Sequence, residues 1–429
     1  MQSEQSVEEW LKQNKITEVE CLVPDITGNA RGKFIPANKF VKEDSRLPEG
    51  ILAQTVTGEY SDDFWELLGT VDGDMLLEPD PSTMRSVPWA NEPTVQIIHD
   101  CFTKDGKPHP FSSRNVLKRI LALYEAEGLK PVIAPEVEFY LIEKNADPDS
   151  ELKPPIGRSG RYETARQSYS IDAANEFEDF VETMYSYGDA MGLDLDTLIH
   201  ESGAAQLEVN FIHGDPLDLA DQVFTFKRLA REAALKHNIY ATFMAKPMAS
   251  EPGSAKHIHQ SVLSLENGSN IFATADGEYS EAFYHYLGGL QTYTPFVMSF
   301  FAPNVNSYRR FTREVAAPIN LHWGFDNRTT GLRVPDAAPK DYRIENRFPG
   351  ADVNPYLSIA ASLACGYLGL KKGIKPSEPF HGNAYNEEMQ MPRTLEEALR
   401  GLKEDSDIVE IFGSEFIQLY TSIKLVEFE

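Results

Sequence analysis

One local pattern recurs at four places in this chain: chemically matched polar side chains on alternate residues, with apolar or small groups between them. Ala134–Phe139 reads Ala-Pro-Glu-Val-Glu-Phe, and Gln206–Glu208 reads Gln-Leu-Glu. His257–Ser261 reads His-Ile-His-Gln-Ser, and Arg343–Arg347 reads Arg-Ile-Glu-Asn-Arg. In a strand, residues i and i+2 point to the same face. Each segment is therefore expected to be a strand with carboxylates, imidazoles or guanidiniums on one side and apolar groups on the other.

The polar faces have a chemistry in common. Glu136 and Glu138 share a face, while Val137, Phe139 and Leu141 pack inward. Two carboxylates on one face repel, at a cost that grows with burial, and a bound cation removes the conflict. For this strand alone a solvated acidic face is the commoner reading. The other segments shift the balance. Glu201 precedes Ser-Gly, Glu208 follows on an alternating strand, His257 lies in a Gly-Ser-Ala-Lys-His-Ile-His run, and Glu345 stands between two arginines. Hard divalent metals take carboxylate oxygens with an occasional imidazole, and phosphates take arginine. The set reads as a site where metal-bound ATP meets an acidic substrate.

With 429 residues the chain is long enough for two or three domains and a large core. Its net charge of −26 argues against nucleic acid or an anionic membrane as a main partner. Cys21, Cys101 and Cys365 are few, odd in number and not at metal-binding spacing, which fits a reducing cytoplasm. The N-terminal residues lack a basic region and an apolar signal core, and no apolar run is long enough to span a bilayer. A cytoplasmic protein is expected.

Short strands are expected over Thr17–Val23, Arg31–Ile35, Asp74–Glu78 and Thr94–Ile98, after a short helix over Ser6–Gln13. The first hundred residues then form a small sheet-rich domain. From Ser112 or Ser113 a capped amphipathic helix runs to about Glu127, with Val116, Leu117, Ile120, Leu121 and Tyr124 on one face and Gly128 as its stop. Helices are also expected over Asp218–His237 and Tyr356–Lys371, and a mobile surface loop over Ala146–Arg166. The layout is α+β, with a boundary near residue 105 separating domains 1–105 and 106–429.

The order of motifs resembles the glutamine synthetase family. They are Pro135–Glu138, Glu201–Glu208, Lys246-Pro247 with Gly253–His259, Asn306–Arg310, Asn327–Pro335, Arg343–Phe348 and Asp352–Tyr356. The resemblance spans almost the whole chain. It implies an N-terminal β-grasp domain, a larger catalytic α+β domain and homo-oligomers of two stacked hexameric rings (a dodecamer), with active sites between subunits. It implies that Glu138, Glu201 and Glu208 hold one Mg²⁺ or Mn²⁺ and that Glu136, His257 and Glu345 hold a second. His259, Ser261, Arg328, Arg333, Lys340 and Arg343 match ATP-binding positions. Gly253, Arg310 and Arg347 match glutamate-binding ones. Arg328, Arg310 and Glu138 fall at the reacting groups. The substrates implied are ATP, L-glutamate and an amine, joined through a γ-glutamyl phosphate. A catalytically dead homologue would show eroded metal ligands, whereas all six positions carry suitable side chains.

Three departures from the ammonia-using type bear on the amine. The position before Ala317-Pro318, a glutamate in ammonia users, is Ala316, with Glu314 two residues earlier. Pro252 precedes Gly253 where asparagine is usual, and Val56–Trp65 lacks the Phe-Asp-Gly-Ser-Ser latch. Replacing a glutamate by alanine removes a charge and opens space beside the acyl phosphate. The chain thus resembles γ-glutamylpolyamine (γ-glutamylputrescine) synthetases, which join glutamate to a polyamine or small alkylamine. An ammonia-using glutamine synthetase is the alternative. Trp323, Tyr60, Trp65 and Trp89 are candidates to line the amine pocket with Ala316. Tyr385 falls near a position adenylylated in some bacterial relatives, in different surroundings, and is expected to be unmodified. The short C-terminus puts the two-ring assembly in question.

Overall fold

Alternation in the sequence becomes two sheets in the computed structural model, which describes residues 7–40, 45–69, 71–147, 149–312 and 317–428. The first sheet is built from β1 (Glu18–Pro24), β2 (Ala30–Pro36), β3 (Ser45–Pro48), β4 (Asp74–Pro79), β5 (Arg85–Ser86) and β6 (Thr94–Phe102). Its order is β2-β1-β6-β4-β3, with β5 beside β6. The central strand β6 runs parallel to β1 and antiparallel to β4.

The second sheet contains β7 (Leu129–Glu143), β8 (Leu195–His200), β9 (Gln206–Phe211), β10 (Ile239–Thr242), β11 (Lys256–Ser264), β12 (Trp323–Phe325), β13 (Leu332–Val334) and β14 (Ile344–Asn346). Its order is β12-β13-β14-β11-β7-β9-β8, with β10 pairing the far end of β7. All four alternating segments fall in this sheet, on β7, β9, β11 and β14. Their apolar residues Val137, Phe139, Leu207, Val209, Ile258 and Ile344 are fully buried in the main core. That burial fixes the register, because a slip of one residue would turn every polar group inward.

Helices cover the apolar face. Ser113–Ala126 starts where Ser112 accepts from the Asn115 amide, and buries Val116, Leu117, Ile120 and Tyr124. Leu121 is only half-buried, packed against that core. Gly128 (φ 71°) supplies the left-handed turn that frees the chain to enter β7. Pro216–Lys236 is capped by Asp215, and Pro355–Lys372 by Asn354. The last helix has little polarity on any side and is buried for most of its length.

The two sheets share one apolar core, in which Leu22, Val23, Ile98 and Cys101 join Phe111, Val116 and Leu117. A buried guanidinium reinforces the seam: Arg114 donates to Asp80, Asp100 and Asp221, and Tyr356 also donates to Asp221. A charge so deep is tolerable only with this full set of partners. The described residues of 146–166 carry no helix or named strand, only an isolated bridge between Ile156 and Tyr162, and the segment is tied down near its end. Glu163 accepts from His200 at 3.0 Å and from the Ala205 amide at 2.7 Å.

Candidate active site

Strand register assembles the site. On β7, Glu136 stands opposite His257 of β11 on one side and Asn210 of β9 on the other. Glu138 stands opposite Glu208. His259 of β11 pairs with Glu345 of β14, which pairs in turn with Arg333 of β13. Directly opposite residues share a face, with Cβ atoms about 4.5–5.5 Å apart. Five neighbouring strands thus present one continuous polar surface.

Its two halves differ electrically. In the first, Glu136 accepts from His259 Nε2 at 2.9 Å and from His257 Nδ1 at 3.2 Å. Glu345 accepts from Arg333 at 2.8 Å and from Arg347. Arg343 Nε reaches His259 Nδ1 at 3.3 Å. Burial opposes ionisation of Glu136, yet the two histidines hold its carboxyl far below the usual range. Glu345 is likewise buried, and Arg347, His259 and His257 bring it down to about 2.

In the second half, carboxylates face one another. Burial, then the charge of Glu201, pushes Glu138 up to about 8. Glu208 is raised well above its ordinary value by burial and by Glu136, Glu138, Glu201 and Glu345. Glu201 is raised by burial and by Glu136. Polar neighbours orient these groups without neutralising them. Glu138 accepts from the Ala255 amide at 2.8 Å and from Gln206 at 3.2 Å.

The donor atoms of Glu136, His257 and Glu345 all lie within 4.8 Å of one another, as do those of Glu138, Glu208 and His257. Unneutralised carboxylate oxygens with one imidazole suit a hard divalent cation such as Mg²⁺ or Mn²⁺. The first triad is the set expected for one ion. The second differs from expectation in one member: His257 takes the third place in the tight group. Glu201, one residue beyond β8 where the turn into β9 begins, lines the same cavity. Its approach is set by His200, which is braced on Glu163 and bonds the Glu201 carbonyl at 2.8 Å.

Two cavities adjoin on this surface. One, of about 920 Å³, is lined by His259, Ser261, Arg328, Arg333, Lys340 and Arg343 among others. The other, of about 460 Å³, is lined by Glu138, Glu201, Glu208, Gly253, His257, Arg310 and Arg347 among others. Glu136, Asn210 and Arg328 line both. Every residue expected to bind ATP thus borders the first cavity, and every residue expected to bind glutamate borders the second. Arg310 is buried, donates to the Phe348 carbonyl at 3.0 Å and has no acid paired to it among the described residues. Gly253 is required sterically, since a Cβ there would lie 2.3 Å from Arg310 Cγ and 2.8 Å from the Ala245 carbonyl.

The aromatic candidates fall elsewhere. Trp323 is a correction: it is fully buried, donates to the Ser377 carbonyl and borders a separate cavity with Tyr284, Phe325 and Lys375. Its place on β12, at the sheet's far edge, keeps it from the carboxylates. Trp89 packs on Tyr187 with Arg228 over its ring. Tyr60 and Trp65 are exposed and line neither cavity of their own chain. Ala316 and Glu314 lie outside the described residues, while Ala317 lines the second cavity.

Sequence reasoning missed Asn210 and Tyr169, and it considered Tyr385 only as a modification site, expecting it to be unmodified. Asn210 carried a signal, being two residues beyond Glu208 on the same face. Tyr385 sits in a single 3-10 turn (Ala384–Asn386) and Tyr169 in an irregular turn, both too short to show a periodicity, yet both line the second cavity.

A family model described as "Glutamine synthetase, catalytic domain" matches residues 110–429. The chain is similar to glutamate–isopropylamine ligase of Pseudomonas sp, 34% identical over 438 residues, covering 98% of this chain and 93% of that protein. It is similar to γ-glutamylputrescine synthetase PuuA of Escherichia coli (strain K12), 34% identical, covering 99% and 92%. Similarity to glutamine synthetase of Pyrococcus woesei is 33%, covering 94% and 88%. Among solved structures, GmaS without ligand superposes with a TM-score of 0.83 at 26% identity, covering 99% of this chain and 95% of that one. The GmaS complex with ADP superposes with a TM-score of 0.84 at the same identity and coverage.

Proposed function

This chain belongs to the glutamine synthetase family and is a carbon–nitrogen ligase acting on glutamate, and we propose that it joins the γ-carboxyl of L-glutamate to a small alkylamine or polyamine at the expense of ATP. The observation that carries the reading is the pair of adjoining cavities that share Glu136 and Arg328. A nucleotide in the first and glutamate in the second would meet at that boundary.

A carboxylate does not react with an amine in water, because hydroxide is a poor leaving group. Transfer of the γ-phosphoryl group of ATP to the γ-carboxylate of glutamate gives an acyl phosphate and ADP. The amine, arriving neutral, then attacks that carbonyl, and phosphate leaves. His259, Ser261, Arg333, Lys340 and Arg343 hold the nucleotide. Arg328 lies where the phosphoryl group passes and stabilises its charge. Arg310 and Arg347 grip the glutamate carboxylates, and Gly253 lets the substrate backbone come close. Glu138, Glu208 and Glu201, with His257, would hold one divalent ion, and Glu136, His257 and Glu345 would hold another. Such ions neutralise phosphate charge and help align the two reacting groups.

The choice of amine rests on Ala316 in place of an acid. It also rests on two relatives, each 34% identical, named for isopropylamine and putrescine. Glutamine synthetase of Pyrococcus woesei, at 33%, keeps the ammonia-using alternative in view. We further propose residues 1–105 as a β-grasp domain, assembly into two hexameric rings and a cytoplasmic setting. The exposed Tyr60 and Trp65 fit a surface that completes a neighbour's site rather than its own.

Phosphate release with glutamate, ATP and Mg²⁺ tests the reading across ammonium, methylamine, isopropylamine, ethanolamine, putrescine and spermidine. The best amine is expected to exceed ammonium at least tenfold in kcat/KM, or about 1.4 kcal/mol. Equal values would return the chain to the ammonia-using class.

A further inference from the structure

Asn210 sits at the junction of the two cavities and lines both. It lies on β9 directly opposite Glu136, which His257 faces from the other side on β11. Its Oδ1 is buried and has no hydrogen-bond donor. Its neighbours on the same face are differently placed: Gln206 is saturated by Glu138, the Gly253 carbonyl, Ser254 and the Gly203 amide, and Glu208 belongs to a tight ligand triad.

Among the described residues lining the two cavities, two side chains hold a buried polar atom without a partner, Arg347 through Nε and Asn210 through Oδ1. They ask for opposite things. An orphaned guanidinium nitrogen calls for an anion, which glutamate supplies. An orphaned amide oxygen calls for a donor or a cation. Phosphate and carboxylate oxygens bring neither, whereas a hydrated divalent ion brings both.

We propose that Asn210 is a positioning residue for the divalent ion held by Glu136, His257 and Glu345, its amide oxygen accepting a hydrogen bond from a water of that ion. The proposal rests on the ligase reading above. Amide oxygens belong to the ligand chemistry of hard cations, and partners in a metal's outer shell set its affinity. Asn210 would then restrain the ion's hydration on the side where the two cavities join.

The full-length chain is titrated with Mn²⁺ without nucleotide, free ion being read by electron paramagnetic resonance. The melting temperature of the metal-free protein is measured in parallel. Asn210→Leu is expected to weaken Mn²⁺ binding roughly 10–100-fold while leaving the metal-free melting temperature equal or higher, because an unmatched buried acceptor is gone. Asn210→Asp is expected to bind Mn²⁺ at least as tightly as the parent and to melt lower without metal, since it adds a carboxylate to a repelling cluster. Unchanged Mn²⁺ affinity in Asn210→Leu would overturn the proposal. So would a lower metal-free melting temperature or failure to fold, either of which would assign Asn210 to structure. A parent chain that takes up no Mn²⁺ would overturn this proposal and the ligase reading together.

Discussion

The two halves of the polar surface contain the same residue type and treat it in opposite ways. Around Glu136 and Glu345 the chain supplies its own donors, imidazoles for the first and guanidiniums for the second, and both carboxyls are held below their ordinary range. Around Glu138 and Glu208 no cation is paired directly to either acid among the described residues; Arg310 and Arg347 offset only part of the cost at Glu138, and both acids are pushed up. The first half is therefore a finished network that an ion joins. The second is unfinished and becomes stable as a set of anions only when a cation arrives. Buried acids left in mutual repulsion weaken a fold, so their presence points to binding rather than to architecture.

The sharpest way to break this comparison is to neutralise one acid in each half. Glu345→Gln removes the negative charge shared by Arg333 and Arg347 and turns one of the two acceptor oxygens into a donor, leaving Arg333 with Asp326 and Arg347 without a paired acid among the described residues. A loss of about 3–5 kcal/mol in metal-free stability is expected, read by denaturant unfolding. Glu208→Gln is expected to do the reverse to the metal-free protein, raising its melting temperature. It should also cut kcat/KM by roughly 10²–10³-fold and reduce the stabilisation that Mn²⁺ confers, leaving the share of the ion at Glu136, His257 and Glu345. If both variants lost stability alike, the distinction between the halves would fall.

A smaller effect sharpens the same contrast through pH. Glu138 titrates near 8 when folded, against an ordinary value of 4.5. Between those values the folded chain keeps a proton that the unfolded chain has released. The contribution of Glu138 to the stability of the metal-free protein, read as the difference between the parent and Glu138→Gln, is thus expected to fall as pH rises through this window and to level off above it. The acids lowered by histidine and arginine act only below about pH 4.5, where their protonation removes stability. Since an ion must displace the protons of the second half, Mn²⁺ should raise the melting temperature more at pH 8 than at pH 6. Calorimetric scans at both values, with and without the ion, read this directly.

Much of the site was legible before any coordinates. Alternation placed Glu136 and Glu138 on one face and Val137 and Phe139 on the other, because the period of a strand is a local property of its backbone. The helix at Ser113–Ala126 was legible for the same reason, with its cap, its apolar stripe and its glycine stop all lying within one short span. Family resemblance, carried by motifs spread along the chain, then attached roles to His259, Ser261, Arg328, Arg333, Lys340 and Arg343, and the fold brings all of these to one cavity.

Distance between segments was not legible. Trp323 is a candidate for the amine pocket by sequence, whereas the order of strands places β12 at the far edge of the sheet, beside a separate cavity. The motif groups Glu201 with Glu138 and Glu208, and all three line one cavity, but that His257 comes within ligand distance of the last two follows only from the fold. Tyr385 lies in a short 3-10 turn that returns to the substrate cavity from far along the sequence.

The sequence by itself determined which side chains share a face, where helices start and stop, and that acids, imidazoles and arginines were available for metal and phosphate. Only the tertiary structure decided which acids are neutralised and which repel, that Asn210 is left without a partner, and that two cavities meet at Glu136 and Arg328. The physical reason is range. Backbone periodicity acts over a few residues, while charge balance depends on strands such as β9, β11 and β14 that are distant in the chain and become neighbours only through a shared core.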